Sequence, residues 1–182
     1  MMIRRLTSRL KRYDRSRRAL FEELATLPPE KLTEIDGPGK WSILQVVQHM
    51  IRAESSVLQN RPDPTRLLPK NLSMRAHLGY LAVLFVLLFD IPVPVPDSGM
   101  APNDNDLSLK KLKNEWDQNI VWLKDYINHL TTTSAKQAVF SHPVTGPLTP
   151  ARALRIAQLH LNTHKRHIAR IRHRITRTTR TV

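Results

Sequence analysis

The chain has 182 residues, no cysteine and a formal net charge of +14. Without thiols it can form neither disulfides nor thiolate metal sites, and a cysteine nucleophile is excluded. Its length suits one domain, residues 1–182, with a core of its own, and its longest apolar stretch, Leu78 to Phe89, is too short to span a membrane.

The charge sits at the two ends. Residues 1–18 carry eight Lys/Arg against Asp14, residues 151–182 carry nine and no acid, and the middle of the chain is slightly acidic. Basic segments attract nucleic acid or an acidic partner, so a non-catalytic helical binding module is one candidate function. Yet the end arginines alternate with apolar helical positions, and aromatic residues for base stacking are almost absent there. A solvated basic surface is therefore expected, with nucleic acid an unlikely partner. Met1 to Leu6 starts basic but no apolar segment follows, so no signal peptide is expected and a cytoplasmic location is.

Five helices and no strand are expected. The first covers about residues 3–27, with Ile3, Leu6, Leu10, Tyr13, Leu20, Leu24 and Leu27 on one stripe at helical spacing and Pro28-Pro29 as its stop. Arg17 interrupts that stripe. The second begins at Ser42, which forms a capping box with Gln45, and runs to about Gln59. The third, Ser73 to Phe89, is apolar nearly all round, the pattern of a central bundle helix. A proline-rich connection from Ile91 to Asp106 then crosses the molecule. The fourth helix, about 107–131, puts Leu109, Leu112, Trp116, Ile120, Leu123, Ile127 and Leu130 on its inner face. The last starts with Thr149 as N-cap and Pro150 at the first position, and residues 175–182 are expected to fray.

The last helix carries the main chemical signal. Its apolar stripe is Ala153, Ala157, Leu161, Ile168, Ile171 and Ile175, and His160 and His164 fall inside it. Residues four apart project side by side from one rigid element, and burying two neutral imidazoles without partners is costly. A divalent ion would satisfy them, with His49 of the second helix as third ligand; three imidazoles suit zinc, nickel and similar ions and leave positions open. The bland alternatives are a partly buried histidine couple without an ion and a hydrogen-bonded core His49. His167 is expected off the stripe, near the site or exposed. His142 lies in the loop before the last helix, where it can overhang a site near the helix start and is a second candidate base. Glu54, five residues beyond His49, is a candidate base or ligand-orienting group, against the reading of a solvated helix carboxylate. There is no glycine-rich phosphate loop, H-E-x-x-H or G-x-S-x-G.

The segment Gly39-Lys40-Trp41-Ser42 through Gln48-His49-Met50 resembles the second-helix signature of the DinB-like superfamily. The proline-rich crossing segment resembles that family too, as does His142-Pro143 followed by Gly146-Pro147-Leu148-Thr149 and the His160, His164, His167 series. The similarity is greatest to the branch of YfiT-type metal-dependent hydrolases. It covers about residues 10 to 175 and implies an all-α, four-helix bundle with an up-down-down-up path, the fifth helix packing outside the four. It also implies a divalent metal on His49, His160 and His164, often a homodimer, and action on a small-molecule substrate, as a hydrolase or a thiol-conjugate transferase. The strong basic charge and Arg17 depart from the family's pattern.

Overall fold

The computed structural model describes residues 1–35, 37–59, 72–91, 101–102 and 107–178. Helix α1 spans Met2–Leu24, a one-turn α2 spans Pro29–Thr33, and α3 spans Ile43–Gln59. Then come α4 (Met74–Phe89), α5 (Leu109–His129), a 3-10 turn (Ser134–Lys136), strands β1 (Phe140–His142) and β2 (Gly146–Leu148), and α6 (Pro150–Thr178). Pro29 does more than stop α1: it opens α2, where its fixed φ suits the first helical position. The expected fraying from residue 175 falls partly outside the described residues. Within them α6 is helical through Thr178 and Ile175 is buried. The crossing segment Ile91–Asp106 lies almost wholly outside them.

Four helices close a ring. α1 packs against α5 and α6, and α3 packs against the same two from the opposite side. The expected stripes meet at its centre, where Leu6, Leu20, Leu24, Met50, Leu112, Trp116, Ile120, Leu161 and Ile168 are fully buried. The result is the expected all-α bundle, held mainly by apolar burial.

Two expectations are corrected. The helix Ser73 to Phe89 was expected at the centre of the bundle, but α4 packs outside the ring, on α6 and β2. Only Ala76 and Leu84 of it are buried, because one helix can press only one face on its neighbour. No strand was expected, yet the loop before α6 folds as an antiparallel hairpin pairing Phe140 with Leu148 and His142 with Gly146. Strands of three residues, the second of them Gly146-Pro147-Leu148, are too short to carry an alternating pattern. Gly146 turns this hairpin at φ 70°, a left-handed value glycine adopts without strain.

Two features fix α4 and the hairpin. Asp90 ends α4 in the left-handed region at φ 54°, and its carboxylate accepts from Arg170 of α6 at 2.6 Å. Thr163 of α6 donates to the Leu87 carbonyl at 2.8 Å. The hairpin is clamped from the other side by α5, where Tyr126 stacks on Trp122 at 4.9 Å and both rings meet Phe140.

Candidate metal centre

His49 owes its place to the start of α3. Gly37 and Gly39, both at positive φ, turn the chain into Trp41. The Ser42 backbone N–H then donates to Gln45 Oε1 at 2.8 Å and the Gln45 N–H to Ser42 Oγ at 3.3 Å. This reciprocal cap sets the helix phase, and two turns later His49 points inward, 6 % exposed, with the Trp41 ring 5.1 Å away. α6 starts as its sequence signals: Thr149 Oγ1 accepts from the Arg152 N–H and its carbonyl from Ala153, with Pro150 at the first position. That phase puts His160 and His164 on the α3 side.

The three rings form one cluster. His160 and His164 stand 4.5 Å apart with their Nε2 atoms at 3.0 Å, and His49 lies 5.3 Å from the first and 4.9 Å from the second. One ring nitrogen from each falls within 4.8 Å of the others. Three nitrogens about 2.0–2.1 Å from one zinc would be about 3.3 Å apart, close to the 3.0 Å of the His160–His164 edge. The buried Nδ1 of His164 has no hydrogen-bond partner among the described residues. Burial first, then the neighbouring His49 and His142, lowers His160 to about 3. Burial, then His160, His49, His167 and Arg170, lowers His164 to about 2. Both imidazoles are thus neutral near pH 7 and offer lone pairs, the donor set a divalent cation needs.

The cluster lines a cavity of about 700 Å³ whose wall includes Met50, Val57, Val83, Leu87 and Phe140. His142, His167 and Glu54 also line it. His142 Nδ1 accepts from the Val144 and Thr145 N–H groups at 3.2 and 3.3 Å, which leaves the ring proton on Nε2. His167 stands beyond the cluster, its ring 6.1 Å from that of His164.

Glu54 is no solvated carboxylate. Its Oε2 accepts from the Tyr13 hydroxyl and from the Trp116 indole at 3.2 Å, while Oε1 is buried without a hydrogen-bond partner among the described residues. Burial raises its pKa, against the opposing hydrogen bonds of Tyr13 and Trp116. Burial and the Glu54 charge in turn push Tyr13 well above its usual value. Nothing in the sequence marked Tyr13 and Trp116 as partners of Glu54, since both also read as stripe residues.

Arg17, the outlier on the first stripe, is fully buried beneath this layer. It donates to Asp14 at 2.8 Å and to Asp117, with the Phe21 and Trp116 rings about 6 Å from its guanidinium. The aspartates were not singled out, although a charge inside an apolar stripe signals buried partners.

Fold and site define a helical bundle with a three-histidine cluster facing an apolar cavity. The DinB superfamily profile matches residues 12–168, and the chain belongs to that superfamily. No curated protein matches it. No helix among the described residues is long and apolar enough to cross a membrane.

Proposed function

We propose that the protein is a metal-dependent enzyme, a hydrolase or thiol-conjugate transferase acting on a small molecule, with zinc or nickel on His49, His160 and His164. The observation that carries it is the convergence of three neutral or buried imidazoles on the wall of a 700 Å³ cavity. A divalent ion held by uncharged ligands keeps its full Lewis acidity and brings the pKa of water or a thiol toward about 7.

The chain's own residues supply the rest. Glu54 takes a proton from the nucleophile at Oε1, while Tyr13 and Trp116 hold Oε2 and fix the carboxylate plane. A carboxylate whose affinity for protons is raised by burial suits that task. His142 presents its Nε2 proton to the leaving group or carbonyl oxygen. The apolar wall excludes water and selects a substrate with a hydrocarbon portion.

Metal analysis of untagged protein tests the proposal. About one equivalent of zinc or nickel is expected per chain, and none in the His49→Ala, His160→Ala, His164→Ala triple variant. Metal-free wild type that also fails to take up either ion in dialysis would remove the enzyme reading. Nucleic-acid affinity that collapses with added salt would instead support the basic binding module.

A further inference from the structure

The cavity-facing side of α6 changes character along its length. In chain order it brings Ala157, then His160 and His164, then His167, Arg170 and Arg174 to the lining. Their spacings of three, four, three, three and four keep them on one side of the helix. At about 1.5 Å of rise per residue, Arg170 and Arg174 come about 9 and 15 Å beyond His164 along the axis. Those distances lie within the span of one small molecule whose reacting atom sits at the cluster. Lys40, from the turn ahead of α3, lines the same cavity.

These cations outweigh the acids beside them. Among the described residues the lining holds two carboxylates, Asp90 and Glu54. Glu54 is held by Tyr13 and Trp116. Asp90 is already matched, accepting from Arg170 Nη1 at 2.6 Å with Arg166 at 3.9 Å. A guanidinium has five N–H donors, so Arg170 can keep Asp90 on Nη1 and present its remaining donors to a ligand. Asp90 thereby holds that guanidinium in place at the end of α4, which lowers the ordering cost of binding. We propose that the substrate carries a carboxylate seated on Arg170 and Arg174, with its reacting atom at the histidine cluster and its hydrocarbon part along the apolar wall. The assignment rests on the metal-dependent function proposed above and adds the class of substrate that function would take. Arginine forks suit a carboxylate because they meet it through two parallel hydrogen bonds.

Calorimetric titration with two thiols of equal chain length, 6-mercaptohexanoate and 6-mercaptohexanol, tests the seat. Wild type is expected to bind the carboxylate about tenfold more tightly than the alcohol at low salt. In the Arg170→Gln, Arg174→Gln double variant that ratio should fall to about one, with the affinity for the alcohol unchanged. Arg155→Gln, on an exposed site of α6 outside the lining, should keep the wild-type ratio, which separates a local seat from the attraction of a basic chain for any anion. Should the double variant lose helix, Arg174→Gln alone is read in its place, since it leaves Arg170 on Asp90; a reduced ratio is expected there too. Each titration is run with zinc and with chelator. Removing zinc should weaken both thiols alike and leave their ratio intact. An affinity indifferent to zinc, with the ratio preserved, therefore counts against the metal and still supports the seat. A wild-type ratio near one overturns the proposal, as does a ratio that survives the arginine substitutions, one that Arg155→Gln abolishes equally, or a failure of both thiols to bind at millimolar concentration.

Discussion

Glu54 shows how a single residue changes meaning once its surroundings are known. On paper it was one acid on a helix; in the fold it is a buried carboxylate bonded to Tyr13 and Trp116, with one oxygen left over. Its raised pKa gives a signed prediction. A group with an elevated folded pKa contributes stability that is complete below its unfolded value, here 4.5, and is lost as pH climbs through the folded value. Glu54→Gln, which cannot ionise, should therefore melt higher than wild type near pH 8 and nearly equal near pH 4, both measured with chelator. An equal gain at both pH values would mean that ionisation of Glu54 is not penalised. The histidines were legible because residues four apart on an inward stripe must share surroundings. Tyr13, Asp14, Trp116 and Asp117 were not, because their relation to Glu54 and Arg17 crosses from one helix to another and no periodicity records it.

At the scale of elements, helix starts were the easiest features to read. The Ser42–Gln45 cap and the Thr149–Pro150 start sit where their side chains dictate, and both set the phase of a histidine-bearing helix. Ser42→Ala should cost about 1 kcal/mol of stability, and because it loosens the first turn of α3 it should also weaken metal uptake. Thermal melts and zinc titration check this together; a stability loss with undiminished affinity would separate cap from site. The hairpin and the seat of α4 were hidden for different reasons. The hairpin's strands are shorter than any pattern, and a helix apolar on every side gives no clue to which side the bundle will claim. Gly79 marks the seat: a β-carbon there would come within 3.3 Å of the Thr145 backbone, so α4 and the hairpin meet at a point that tolerates no side chain of size. Gly79→Val should lower stability by about 1–3 kcal/mol through overpacking, and a variant as stable as wild type would show that the hairpin yields freely.

For the molecule as a whole, the buried Arg17 network is the electrostatic tie between α1 and α5. Burial alone would raise Asp14 and Asp117; hydrogen bonds from Arg17 and from Arg18 or Lys113 outweigh it and lower both. Depressed acids stabilise the fold above their unfolded value, 3.8, and that share is lost as pH falls through the folded values. Arg17→Met removes the buried partner of Asp14, which keeps Arg18 and Lys124 at 3.3 and 3.4 Å, and should cost about 2 kcal/mol near pH 7, with the deficit narrowing as the acids protonate below about pH 4. Urea denaturation at the two pH values measures it, and a deficit that does not change with pH would refute the assignment.

The two helices that carry the histidines are also far apart along the chain, and this would give a metal-loaded site a mechanical role. A molecule without cysteine has no covalent staple, yet an ion shared by His49 and His160 would tie off a loop of about 110 residues, worth about 4–5 kcal/mol of chain entropy in the simplest treatment. His160 and His164 sit on one helix and close no loop between them, so the whole tether hangs on His49. Chelation should then speed unfolding of wild type, and His49→Ala should unfold at the chelated rate even with zinc present; equal rates for loaded and chelated wild type would show that the knot is never tied.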